Sequence, residues 1–112
     1  MNEISLDDFL RVEVRVGTVT AVDDFPEARK ASYKLCIDFG SEIGERNSSA
    51  QITTNYAKEK LIGRQVAAVV NFPSRQIGTF MSEVLVLGFP DDDEEVTLIS
   101  PDKIVPNGGR LC

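Results

Sequence analysis

The chain contains no histidine and no tryptophan. Histidine is the side chain that changes protonation near neutral pH and the commonest neutral metal ligand, so its absence removes the usual general base and the usual zinc site. No glycine-rich phosphate loop, nucleophile elbow or metal-spaced cluster takes its place, so neither catalysis nor a cofactor is expected. Cysteine is scarce too. Cys36 falls inside an apolar strand pattern and Cys112 is the last residue, which gives no disulfide framework and no redox pair. Cys36 is expected as a buried small hydrophobe and Cys112 as an exposed thiol. Long apolar runs are missing, so no membrane insertion is expected. The opening MNEISLDDF is acidic and lacks the apolar core of a secretory signal, which makes the cytoplasm the expected compartment. Positive charge is in deficit. Twelve Lys and Arg face eighteen Asp and Glu, for a net charge of −6, which argues against non-specific coating of nucleic acid.

What is present suits one small soluble domain over residues 1–112, with 42% hydrophobic and 27% charged residues. A core of that size gains from a partner subunit. Ser5 with Asp8 three residues on starts a helical turn. Leu6, Phe9 and Leu10 share one face and are expected to plug an end of the core, with a dimer contact as the alternative. Residues 12–22 open with strict alternation, Val12, Val14 and Val16 against Glu13 and Arg15. The apolar phase slips after Gly17, which predicts a bulge or sharp coil there, as a small closed barrel requires. A polar turn over 23–30 leads to a second strand, 33–39, with Tyr33, Leu35, Ile37 and Phe39 inward. A polar hairpin loop is expected over 41–47, a hydroxyl-rich third strand over 48–53, and a helix over 54–63 capped by Thr54 or Asn55 and closed by Gly63. Further strands are expected over 65–71, 80–87 and 96–99. The acids at 91–95 read as a solvated turn between the last two. A Pro/Gly-rich tail over 100–112 carries Ile104, Val105 and Leu111 and is expected to dock. A bent first strand and one short helix after the third strand describe a five-stranded Greek-key OB barrel. That makes the fold all-β, with an N-terminal helical turn and a C-terminal extension.

The linker over 71–83 is longer than a tight hairpin needs, and long loops on rigid sheets concentrate function. It holds Asn71, Arg75, Ser82 and Glu83, a polar set able to hydrogen-bond and to meet phosphate. It also holds Phe72, Phe80 and Met81. These either fill the barrel rim or form an exposed surface for stacking bases or gripping peptide. The side chains of Arg15, Arg29 and Lys34 add positive charge for RNA.

Several segments resemble one family in order and spacing. Val14-Arg15-Val16-Gly17 is similar to the opening motif of the EMAP II/Trbp-type tRNA-binding domain. Phe25-Pro26-Glu27-Ala28 is similar to its Pro-acid-Ala turn, with Phe25 in place of histidine. The run 33–40 resembles its second strand, and Asn71-Phe72-Pro73 with Ser82-Glu83 resembles its signature linker. Within the family the likeness is to the small stand-alone members with export-related chaperone activity. The resemblance implies an OB fold, a homodimer, no catalysis, and binding of tRNA and of unfolded or presecretory polypeptide. It places Asn71, Arg75, Ser82 and Glu83 at the tRNA site.

Overall fold

A computed structural model describes all residues, Met1–Cys112. The first element, α1 (Leu6–Leu10), begins with the capping box expected from Ser5 and Asp8. The Asp8 N–H donates to the Ser5 hydroxyl at 3.0 Å and the Ser5 N–H donates to the Asp8 carboxylate at 3.1 Å. No residue of α1 is buried. The expected plug is therefore absent. So short a helix lies outside the barrel, and its Leu6 is 71% exposed.

Strand β1 (Val14–Asp24) organises the barrel. Its first part pairs antiparallel with β4 (Gln65–Val69), and its second part with β2 (Tyr33–Asp38). Thr18 has a partner on both sides, Gln65 and Asp38. Gly17 marks a change of core rather than a bulge. A Cβ there would sit 2.6 Å from Ile37 Cγ2 and 2.7 Å from Phe39 Cδ1, so only glycine lets these side chains cross the strand. Val14 and Val16, on the opposite face, line a groove under the C-terminal tail. The register shift falls further on, between Val19 and Ala21. There the Thr20 hydroxyl donates to the Cys36 carbonyl at 3.2 Å, and Val19 and Val22 both reach the core.

The alternation expected of the second strand holds, with Tyr33, Leu35, Ile37 and Phe39 buried. Cys36 lies on the other face and is half-buried, so it is not the core residue expected. A single helical turn, α2 (Gly40–Ile43), replaces the polar loop and starts on the Asp38 carboxylate, which accepts from the Gly40 N–H at 2.8 Å. That economy brings β3 (Glu45–Ala50) in three residues earlier than expected, paired with β2 along its length. The predicted helix over 54–63 shrinks to one turn, α3 (Lys58–Leu61). Asn55 does not cap it, because its amide donates instead to the Asp91 carboxylate and the Val96 carbonyl, each at 3.0 Å. Leu61 anchors α3 in the core.

Beyond β4 the chain forms a hairpin of β5 (Arg75–Ile77) and β6 (Phe80–Ser82), then β7 (Leu85–Val86). The single strand expected over 80–87 is thus broken at Glu83 and Val84. The main sheet runs β3-β2-β1-β4-β7. A second hairpin, β8 (Gly88–Pro90) with β9 (Val96–Leu98), carries the acidic residues 91–95 at its turn. The tail docks as an added strand on the part of β1 that β2 leaves free. Val16 N–H donates to the Gly109 carbonyl, Gly108 N–H to Val16, and Leu111 N–H to Val14. Buried Gln65 clamps it, donating to the Val105 carbonyl at 2.7 Å and to Asn107 Oδ1 at 2.9 Å, and accepting from the Val105 N–H at 3.0 Å. The outcome is the expected OB-type barrel around a twelve-residue apolar core. No helix is long and apolar enough to cross a membrane.

Candidate nucleic-acid interface

The linker expected as one long loop is a short ladder. Ser82 pairs with Arg75, Met81 with Gln76 and Phe80 with Ile77. Side chains alternate across such a pair, so Arg75, Ile77, Phe80 and Ser82 share the face toward β3, while Gln76 and Met81 face solvent. Gly78 makes the turn at φ +61°, a conformation that favours glycine.

Ser82 and Glu83 close the barrel. β3 is an edge strand, and edge N–H groups need partners. The Ser49 N–H donates to the Ser82 hydroxyl at 3.0 Å, and the Asn47 N–H donates to Glu83 Oε1 at 3.0 Å. The Glu83 N–H returns a bond to the Asn47 carbonyl at 2.8 Å, and the buried Ser48 hydroxyl donates to the Val84 carbonyl at 3.1 Å. Side-chain oxygens thus stand where a neighbouring strand would supply carbonyls. Asn71 is committed to the protein as well. Its Oδ1 accepts from the Glu13 N–H at 3.0 Å and its Nδ2 donates to the Arg11 carbonyl at 2.8 Å, fixing the linker to the segment between α1 and β1.

A groove runs between the hairpin and β3. Its first section, about 200 Å3, is lined by Phe72, Pro73, Arg75, Ser82, Glu83, Val84 and Leu85 with Ser49 of β3. The next section, about 340 Å3, shares Ser49 and Arg75 and adds Arg29, Lys30, Ser32 and Gln51. Arg75 stands at the junction. The ion pairs of the protein are Arg15–Glu13, Arg46–Glu83 and Lys58–Asp24, so Arg29, Lys30 and Arg75 keep their charge unpaired. Phe72 is 52% exposed at the mouth. Phe80 is half-buried and meets buried Phe25 edge to face at a centroid distance of 5.3 Å. The Lys34 ammonium lies 5.0 Å from the Phe25 ring and 5.8 Å from the Phe80 ring. This aromatic clamp ties the 23–30 turn to the hairpin, and so holds Arg29 and Lys30 beside Arg75.

A separate apolar groove of about 460 Å3 lies between β1, β4 and the tail, lined by Val14, Val16, Ala67, Ile99, Val105 and Leu111 among others. Arg15 belongs to this groove. Its guanidinium donates to the Gly108 carbonyl at 2.9 Å and pairs with Glu13 at 2.8 Å. The hydrogen bond from Arg15 holds the Glu13 carboxyl below the usual carboxylate range.

The family model for the tRNA binding domain matches residues 14–110. The chain belongs to the tRNA-binding domain family. This tRNA-binding domain is 46% identical to the chaperone CsaA of Bacillus anthracis str. Ames, covering 99% of this chain and 100% of that one at a TM-score of 0.92. It is 49% identical to the CsaA chaperone protein of Picrophilus torridus, covering 98% of this chain and 100% of that one at a TM-score of 0.90. It is also 34% identical to the methionine–tRNA ligase of Methanococcus aeolicus over 112 residues, all of this chain but 16% of the ligase. The chain thus spans about a sixth of that relative's length.

Of the residues that the sequence singled out, Phe72, Arg75, Ser82 and Glu83 come together on the groove. Asn71, Phe80 and Met81 lie elsewhere, the first behind the linker, the second in the aromatic clamp, the third on the hairpin's outer face. Lys30, Ser49 and Gln51 line the groove and were not singled out. The adjacency of Lys30 to Arg29 and the hydroxyl-rich third strand are the signals that point to them.

Proposed function

We propose that this protein binds tRNA through the groove between the β5–β6 hairpin and β3, without catalysis. The observation that carries the proposal is the grouping of three unpaired cations, Arg29, Lys30 and Arg75, beside exposed Phe72, on a chain whose net charge is −6. Cations gathered in one groove attract phosphate locally even where the whole molecule is acidic, and an exposed ring offers a stacking face to any base. Ser82 and Glu83 present their remaining hydrogen-bonding capacity to the same groove. Asn71 serves tRNA binding indirectly, by fixing where the linker starts. The family match over 14–110 supports this function. The test is a titration with bulk tRNA at two salt concentrations. Affinity falls steeply with salt in the wild type, and Arg75→Ala lowers it about ten-fold at low salt and reduces the salt slope by about one. Equal binding by wild type and Arg75→Ala removes the groove as the site.

A second reading concerns the apolar groove beside the tail. It adjoins exposed Leu6, Phe9 and Leu10, because the Arg110 guanidinium donates to the Leu10 carbonyl. We propose that this face forms a homodimer, that the protein acts in the cytoplasm, and that it shares the chaperone activity named for its CsaA neighbours, holding unfolded or presecretory polypeptide. Leu10→Lys yields a monomer in sedimentation if the face is the dimer interface, and an unchanged oligomer if it is not.

A further inference from the structure

The groove does not end at Lys30. A third section, about 380 Å3, shares Lys30 and Gln51 with the second and is walled by Asp93, Glu94 and Glu95. Along its length the lining therefore changes in charge, from Phe72, Arg75 and Glu83, the last paired with Arg46, past Arg29 and Lys30, to three unpaired carboxylates. The turn that carries these carboxylates is held in place. Asp91 Oδ1 accepts from the Asp93 N–H at 2.9 Å and from the Glu95 N–H at 3.0 Å, and the Asp91 carboxylate takes the Asn55 amide at 3.0 Å. The turn is also tied down at its ends, where the Asp91 N–H donates to the Glu95 carbonyl at 2.8 Å. Carboxylates gathered on a fixed turn repel a phosphate chain at contact distance, where salt screens least.

We propose that the groove is a closed-ended track for a short unpaired RNA segment. One base stacks on Phe72, the phosphates pass Arg75, Arg29 and Lys30, and the backbone turns away from the protein at the acidic wall, a placement that rests on the RNA binding proposed above. Stacking on Phe72 requires a base free of its helix, which selects single-stranded ends and loops over duplex. The wall limits the footprint to about four nucleotides, the low end for an OB barrel. In this arrangement the acidic run is a stop that sets the length of RNA held, not a ligand site.

The test measures the affinity of fluorescently labelled adenine oligonucleotides of about two to about twelve nucleotides. The proteins compared are the wild type, Phe72→Ala, and a variant combining Asp93→Asn, Glu94→Gln and Glu95→Gln, with bulk tRNA in a parallel arm. Wild-type affinity rises to about four nucleotides and then levels off. The neutralised variant matches the wild type on the shortest oligonucleotides and binds the longest several-fold more tightly. Phe72→Ala loses about ten-fold on every oligonucleotide. A wild-type affinity that keeps rising to the longest oligonucleotide overturns the proposal. So does a neutralised variant that gains the same factor at every length, the mark of a diffuse field. Binding of bulk tRNA with no oligonucleotide bound overturns the track and leaves tRNA binding standing. The stepped length dependence without tRNA binding upholds the track and overturns tRNA as the partner.

Discussion

The groove beneath the β5–β6 hairpin and the groove beneath the C-terminal tail are both strand edges filled in by later parts of the chain, and they are filled differently. At the hairpin, Ser82 and Glu83 use side-chain oxygens to satisfy Asn47 and Ser49, which leaves an open cleft rimmed by cations. At the tail, backbone pairs with backbone from Val14 to Val16, and the cleft alongside is apolar. The difference shows how one acidic chain presents two unlike surfaces. A net charge of −6 describes neither of them.

The contrast breaks hardest at Gln65. Gln65→Ala removes three hydrogen bonds that clamp the tail and strands the Val105 peptide groups. The expected cost is about 2–3 kcal/mol in denaturant unfolding, with the salt slope of RNA binding unchanged. If the RNA slope moves as well, the two faces are coupled rather than separate. Arg75→Ala inverts that pattern. The ten-fold loss expected in RNA titration comes with a stability change within about 0.5 kcal/mol, as befits an exposed cation without a partner. Ser82→Ala touches both, since it strands the Ser49 N–H inside the groove. About 1 kcal/mol of stability is expected to go, whereas Glu83→Gln keeps an acceptor oxygen for Asn47 and loses less than half of that.

The smallest effect belongs to Asp91. Hydrogen bonds from Asn55 and then from the backbone of Glu95 and Asp93 hold its carboxyl below the usual aspartate range. A lowered carboxylate stabilises above its unfolded pKa and loses that contribution as pH falls through the folded value. Amide protection at Glu95 is therefore expected to weaken below about pH 4. Asp91→Asn removes this acid response if Asp91 is its source.

Much of this was legible in the chain. Tyr33, Leu35, Ile37 and Phe39 alternate in sequence and line the core as alternation requires, and Ser5 with Asp8 forms the box their spacing announced. The rest was decided by contacts far along the chain. Asn55 is a good helix cap by chemistry, yet Asp91 and Val96 claim its amide. Cys36 sits in an apolar run, but the pleat turns it outward. The valines of β1 look like one inner face. Val14 and Val16 instead serve the tail groove, because Gly17 gives the other face to Ile37 and Phe39. At the candidate site the residue types were readable. The grouping of Arg75 with Arg29 and Lys30 was not, since it depends on Phe25 meeting Phe80 across more than fifty residues of chain.

The joint made by Ser82 and Glu83 has a consequence of its own. A backbone ladder opens only by unzipping, but this joint has a single backbone–backbone bond, from Glu83 N–H to the Asn47 carbonyl, and its bonds from Asn47 and Ser49 to side chains break by rotation about χ1. The amides of Asn47 and Ser49 therefore report the rotamers of Ser82 and Glu83, and their hydrogen exchange measures how often the barrel breathes at that line. A molecule lying in the groove packs against the same two side chains and holds them in place. Occupancy is thus written into two amide signals, that of Ser49 on the groove wall and that of Asn47, which does not line the groove.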